Sequence, residues 1–250
     1  MMGITFLCCM NDEQQLKSML LPSFDVLSNN GIDYNVIFID AQKCQYHSAA
    51  EAYNVEVKKN NEILKYILVF LHQDIAFNSA ELFLNIIQEL SNNPNQIIGL
   101  AGMPLRGRTI SNLKYKETDC YIAATRVYEK TEVCSVDECC FALTKDVFLK
   151  LLFDDTICNG WHLYAVELCY RAASHLNVPS YVLPVTIYHK MNGTTGLTTD
   201  FMFLKTIWRI ARKYKNYTMK IYAPCYIVST SFIPCLLKII RTYFKNLLNR

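Results

Sequence analysis

The chain reads as an α/β protein built around a mostly parallel central sheet, with further helices at its C-terminal end. Three observations predict this. Short, wholly apolar runs alternate with amphipathic stretches of ten or so residues, the pattern of strands joined by helical crossovers. Those runs lack polar alternation, as expected for strands covered on both faces. Finally, 250 residues with 52% hydrophobic side chains suffice for one sizeable core, whereas 8 Gly and 7 Pro are too few for a linker-like or collagen-like chain.

In order along the chain, Ile4–Met10 is an apolar first strand that ends in Asn11-Asp12-Glu13, a loop and helix start. Residues 14–27 carry apolar side chains at helical spacing, stopped by Asn29-Asn30-Gly31. Residues 34–39 form a second strand ending at Asp40. Residues 48–59 predict a helix with Ser48 as N-cap and Glu51 three residues on, the capping-box spacing. Residues 66–71 form a third strand, followed at once by His72-Gln73-Asp74. An amphipathic helix over 80–90 and a fourth strand over 96–101 come next. The stretch 103–132 is polar and predicts a loop plus a hairpin. A strand over 136–144, a short helix over 145–152 and a helix over 161–176 follow. The last strand, 180–187, leads into Tyr188-His189-Lys190. Beyond Asn192-Gly193-Thr194-Thr195-Gly196 the character changes to aromatic, basic helix, which divides the chain into a domain over 1–200 and a tail over 201–250.

The net charge of +3 conceals an asymmetry. Residues 201–250 carry ten of the 25 Lys+Arg and none of the 22 Asp+Glu, so the tail is +10 and the body −7. Eleven cysteines without a CxxC pair exclude a zinc ribbon or a thioredoxin-like site and read as reduced, mostly buried thiols. The start, Met-Met-Gly-Ile-Thr-Phe, has no basic segment and no cleavage site of an export signal. A cytoplasmic protein is expected. There is no GxGxxG, no GxxxxGK[ST] and no GxSxG, which leaves a dinucleotide fingerprint, a P-loop and a hydrolase elbow unsupported.

Open α/β sheets bind ligands at the carboxyl ends of their strands. Asp40, Asp74 and His189 all fall there. Carboxylate and imidazole donors brought to one sheet edge can hold a divalent cation on a diphosphate. Asp at a strand end is also a common turn former or helix cap.

Several blocks resemble a known family in sequence order. They are Ser48-Ala49-Ala50-Glu51-Ala52-Tyr53-Asn54, the strand ending in His72-Gln73-Asp74, Val136-Asp137-Glu138-Cys139-Cys140-Phe141, the run Gly160-Trp161-His162-Leu163-Tyr164-Ala165-Val166-Glu167-Leu168-Cys169, and Tyr188-His189. Together they look like a family 2-like glycosyltransferase of the bacterial His-Gln-Asp type, over roughly residues 2–196. The resemblance implies a single Rossmann-like glycosyltransferase-A domain. It implies inverting, metal-dependent transfer of a hexosyl group from a nucleotide sugar, most plausibly UDP-linked, to a saccharide or lipid-linked saccharide in cell-surface glycan synthesis. Asp74 stands where the last acid of the DxD motif stands and would bind Mn²⁺ or Mg²⁺, with His189 as a further ligand. His72 replaces the first acid, a departure that leaves one carboxylate instead of two, and Gln73 lies between them on the substrate side.

By the same resemblance, Asp40 would contact the nucleoside and Asn54 would support the nucleotide pocket. Ala165 occupies a position that is often acidic, so Glu167 is the remaining carboxylate on its segment and the expected base. Asp137 and Glu138 are the rival pair, suited to binding the acceptor. His162 would orient the acceptor or the diphosphate, and Trp161 would offer a face to a sugar ring. Two other readings stay open. One is a non-catalytic sugar-nucleotide-binding or interaction protein that has lost function at His72 and Ala165; the other is a nucleotidyltransferase.

In the tail, Ile233, Leu236, Leu237, Ile240, Phe244, Leu247 and Leu248 form an apolar helical stripe, with Lys238, Arg241 and Lys245 mostly off it. The uncharged stretch 221–237 is 17 residues, broken by Pro224 and Pro234, and short of the roughly 20 needed to span a bilayer. A peripheral position on an anionic membrane surface, at the inner face of the cytoplasmic membrane, is therefore expected. Packing of the basic tail on the acidic body is the alternative. Nucleic acid is not an expected partner, because no binding-module motif accompanies the charge.

Overall fold

The computed structural model describes residues 2–41, 43–122, 124–190, 200–224 and 226–248, with side chains as far as 245. The break at 192–196 and the side chains of Leu247 and Leu248 lie outside the described residues. The first half runs β1 (Ile4–Met10), α1 (Glu13–Ser18), α2 (Leu21–Asn29), β2 (Tyr34–Asp40), α3 (Ala49–Lys59), β3 (Ile67–Leu71), β4 (Ile75–Ala76) and α4 (Glu81–Asn92). The middle holds β5 (Ile97–Gly99), β6 (Ala101–Met103), β7 (Ile110–Ser111), β8 (Thr131–Val133), β9 (Ser135–Val136), β10 (Cys140–Thr144) and α5 (Lys145–Leu151). The chain continues through α6 (Tyr164–Leu176), β11 (Ser180–Val182), β12 (Tyr188–His189), α7 (Phe201–Lys213), β13 (Lys220–Ala223), β14 (Tyr226–Ser229) and α8 (Phe232–Leu248).

The central sheet has seven strands in the order β2-β1-β3-β10-β5-β11-β8. β2, β1 and β3 are parallel, as are β5 and β11, while β10 and β8 run against their neighbours. Five strands thus share one direction, as a mostly parallel sheet requires. The apolar runs serve both faces of this sheet. Ile4, Phe6 and Cys8 of β1 belong to a core with Phe24 of α2 and Phe83 of α4. Leu7, between them, points to the opposite core with Tyr53 of α3 and Phe148 of α5. Burial on both sides explains why these strands show no alternation.

Local chemistry accounts for most boundaries. Ser48 caps α3 by accepting from Glu51 N at 3.1 Å, as expected, while Glu51 Oε2 accepts from His47 N, one residue before the cap, at 2.8 Å, so the return bond of the capping box is displaced by one residue. The helix expected over 14–27 is two helices, because Pro22 in the first turn of α2 starts a new one. The strand expected over 96–101 divides at Leu100 into β5 and β6, and β6 pairs with β7 and β9 in a separate small sheet. The last strand stops at Val182 rather than 187, and β12 pairs instead with β4.

Residues 201–248 are not a purely helical appendage. A β13–β14 hairpin lies between α7 and α8. Ile207, Ile210, Ile221 and Val228 are almost fully buried in the same core as Leu7 and Phe70. The expected boundary at 200 therefore does not separate two cores.

Candidate active site

β1, β2 and β3 end side by side at Met10, Asp40 and Leu71, and a cleft of about 1070 Å³ opens at those ends. Asn11, Asp12 and Gln15 line it after β1, Tyr46 and His47 after β2, and His72, Gln73 and Asp74 after β3. Trp161, His162 and Tyr164 close it from the segment that opens α6. That segment contains Leu163, whose backbone has φ 69. A left-handed conformation is strained for a branched side chain. Here it turns His162 and Tyr164 towards the cleft while Leu163 itself stays buried.

The pairing of β12 with β4 sets His189 opposite Ile75, next to Asp74. His189 Nε2 lies 3.4 Å from Asp74 Oδ1, and His72 Nδ1 lies 3.8 Å from the same oxygen. One ligand atom from each of the three residues falls within 4.8 Å of the others. Asp74 Oδ1 and His189 Nε2 are both buried without a hydrogen-bond partner among the described residues. Buried polar atoms left unpaired call for an explanation. One carboxylate and two imidazoles aimed at a common point fit a divalent cation of the Mn²⁺ type.

Electrostatics support that fit. Burial pushes the Asp74 carboxyl up, but His189 and His72 outweigh it and leave the group below its ordinary range. Burial also pulls His189 down, and Asp74 outweighs that and holds its imidazole above the usual value. His72 is lowered, chiefly by burial, and so is His162.

The remaining expected residues divide. Gln73 lines the cleft, yet its amide is already engaged: Oε1 accepts from Asn11 N at 3.0 Å and Asp12 N at 3.1 Å, and Nε2 donates to Asn11 Oδ1 at 2.5 Å. It shapes the loop after β1. Asp40 is not among the lining residues; it accepts from Lys43 N at 3.0 Å and pairs with the Lys43 ammonium. Asn54 does not reach the cleft. Its amide is buried and braces the backbone of Phe153 in both directions, at 2.8 and 2.9 Å.

Glu167 is the clearest correction. It is 0% exposed and does not line the cleft. Its carboxylate pairs with Arg171 at 3.0 Å and Lys213 at 2.7 Å, and accepts from the Tyr214 hydroxyl at 2.8 Å. Enclosed by these partners and absent from the cleft lining, Glu167 does not stand where an acceptor hydroxyl would meet it. The rival pair does not line the cleft either, but Asp137 is near enough for its charge to be felt there. Asp137 accepts from Cys139 N at 2.9 Å, and its charge acts on His72, His162 and His189. Glu138 Oε1 is buried without a partner among the described residues. Burial, and then the Asp137 charge, push Glu138 up to about 8, against the backbone N–H groups of Leu163 and Ala165 that favour its charged form.

Asn11, Asp12, Tyr46 and His47 were not anticipated as cleft residues. Asn11 and Asp12 carried the same signal as Asp74, a polar group directly after an apolar strand.

Comparison with known proteins agrees with this geometry. Residues 5–184 match the model of a glycosyltransferase-like family, and the chain belongs to that family. No curated protein matches it in sequence. Its fold is similar to that of the mannosyltransferase PcManGT from Pyrobaculum calidifontis, solved with GDP-Man and Mn²⁺, with TM-score 0.55 and 10% identity over 99% of this chain and 74% of that one. Mannosyl-3-phosphoglycerate synthase from Rubrobacter xylanophilus matches with TM-score 0.55 and 6% identity, over 86% and 75% of the two chains. GalNAc-T7, solved with UDP, GalNAc and Mn²⁺, matches with TM-score 0.51 and 11% identity, over 97% of this chain and 54% of that chain. At such identities the likeness is one of fold: a glycosyltransferase-A domain.

Proposed function

We propose that the protein is an inverting hexosyltransferase that moves a sugar from a nucleotide sugar, UDP-linked in the first instance, to a hydroxyl of a saccharide or lipid-linked saccharide. The observation that carries this reading is the His72–Asp74–His189 trio, with its unpartnered buried atoms, at the end of a cleft built by three parallel strands. The reading is also supported by two structures of the same fold that contain Mn²⁺ beside GDP-Man or UDP. The setting is the cytoplasm or the inner face of the cytoplasmic membrane, in cell-surface glycan synthesis.

The nucleotide lies along the ends of β1 and β2, bordered by Asn11, Asp12 and Tyr46, and its diphosphate reaches the trio. The chemistry supplied there by a bound Mn²⁺ or Mg²⁺ is neutralisation of the departing diphosphate. Trp161 and His162 form the acceptor edge, where an exposed indole suits a sugar face. The acceptor hydroxyl attacks the anomeric carbon as the bond to the diphosphate oxygen breaks, and its proton passes to a base. With Glu167 engaged elsewhere, that role falls to Asp137, with Glu138 behind it.

Thermal-shift and calorimetric screening of nucleotide sugars tests the donor: a UDP sugar should stabilise the protein only when Mn²⁺ is present. The anomeric configuration of the product, read by NMR, tests inversion. Asp137→Asn should lower kcat about 10²-fold with donor binding retained, and full turnover by this variant overturns the base assignment. Donor binding without any turnover, in the presence of acceptors, would favour the non-catalytic reading. Pyrophosphate release from a nucleoside triphosphate would favour the nucleotidyltransferase.

A further inference from the structure

α8 has two apolar faces, and only one of them is covered. Its inner face packs on the body: Cys235 is fully buried, Ile239 lies against the main core, and the Thr242 hydroxyl is 3.0 Å from that of Tyr226. Lys238 donates to the Ile227 carbonyl from the same side. On the opposite face, Ile233, Leu237, Ile240 and Phe244 follow one another at helical spacing. They are 67%, 60%, 41% and 57% exposed. Phe232, Leu236 and Tyr243 widen this stripe on one side, and Arg241 and Lys245 border it on the other.

A row of this kind is more than the scattered apolar residues that any surface carries. We propose that α8 docks on an anionic lipid bilayer, lying in the plane of the interface with Ile233, Leu237, Ile240 and Phe244 in the acyl boundary and Arg241 and Lys245 among the headgroups.

The charge selects this occupant. Residues 201–250 contain ten Lys+Arg and no Asp or Glu. A second copy docked face to face would bring Arg241 and Lys245 towards the same residues of its partner, with no acid in either segment to pair them. An anionic headgroup layer attracts each such side chain, and apolar burial adds to it. Spanning is not the geometry, since no helix among the described residues is long and apolar enough to cross a membrane. The helix of 17 residues is instead long enough, at about 26 Å, to lie flat with its whole stripe engaged.

The docking does not depend on the transferase reading, but it bears on it. Trp208 of α7 meets Phe232 of α8 with ring centroids 5.2 Å apart, and Phe203 of α7 meets His162 of the cleft at 6.4 Å. α7 thus joins the docking helix to the proposed acceptor edge.

The test is flotation of the full chain with vesicles of phosphatidylcholine alone or mixed with phosphatidylglycerol, at low and high salt. The expected result is binding to the mixed vesicles at least about tenfold tighter than to the neutral ones, weakened by salt. Leu237→Asp with Phe244→Asp should lower that binding about tenfold or more, and Arg241→Gln with Lys245→Gln should reduce the preference for phosphatidylglycerol. These side chains face solvent, so circular dichroism and Tm should stay unchanged and exclude misfolding as the cause. No binding to the mixed vesicles, or equal binding to both kinds, overturns the proposal. So does a concentration-dependent dimer in sedimentation velocity that Leu237→Asp dissolves.

Discussion

Asp74 and Glu167 are both enclosed carboxylates, at 9% and 0% exposure, yet their surroundings are opposite. Glu167 is paired with two cations: Oε1 takes Lys213 and the Tyr214 hydroxyl, Oε2 lies 3.0 Å from Arg171 without a hydrogen bond among the described residues, and Lys213 also binds Asp154 at 2.6 Å. That cluster ties α7 to α6 and to the loop after α5. Asp74 faces two imidazoles whose nearest nitrogens stand 3.4 and 3.8 Å away, and its Oδ1 has no hydrogen-bond partner among the described residues. A buried acid flanked by two permanent cations holds a fold together. One that faces only imidazoles at 3.4 and 3.8 Å is tolerated where a ligand completes it.

The largest effect expected from this contrast is at Asp74. Asp74→Asn should reduce sugar transfer about 10³-fold, and the Mn²⁺-dependent rise in Tm should vanish while the metal-free Tm holds. A metal-free Tm that falls sharply would place Asp74 in the structural class with Glu167. Glu167→Gln should do the reverse. Leaving Arg171 and Lys213 without their carboxylate costs about 3 kcal/mol, measurable by urea unfolding, while turnover per folded molecule is retained.

The smallest expected effect concerns Glu138, raised from its ordinary 4.5 to about 8. A carboxyl with a raised folded-state value binds more protons in the folded than in the unfolded chain. Its contribution is therefore complete below about pH 4.5 and is lost as pH rises towards 8. Glu138→Gln should flatten that decline, so that the variant gains on wild type as pH rises. Parallel pH–stability curves for the two proteins would show that Glu138 is ionised in the fold at neutral pH.

The place of Asp74 was legible in the sequence and the surroundings of Glu167 were not, for a physical reason. Asp74 lies three residues beyond the apolar strand β3, and the end of a strand in a parallel sheet is a definite place. His189, 115 positions later, reaches it because β12 pairs with β4, which follows Asp74 directly. A helical acid such as Glu167 has a face but no address, and its partner Lys213 arrives from a helix 46 positions later. The central strands could be read for the same reason as Asp74, since β1 and β3 are apolar throughout. The β13–β14 hairpin could not. All of its residues except Lys220 fall in the uncharged run 221–237, whose composition resembles one long segment, although Ala223 pairs with Tyr226. In residues 201–248, α7 and the hairpin pack on the body, while α8 keeps an outward apolar face.

The reversed strand β10 sits between β3 and β5 and pairs with both. During synthesis, the first hundred residues can assemble β2, β1 and β3, but β3 and β5 cannot be joined until residues 140–144 have left the ribosome. Until then two apolar strand edges stay open, a known template for wrong pairing. Nascent chains halted before residue 140 should accordingly be held by chaperones and be sensitive to protease. Chains long enough to release β10 should gain resistance as β3 and β5 are joined, and gain it fully only once β11 pairs with β5 and β8.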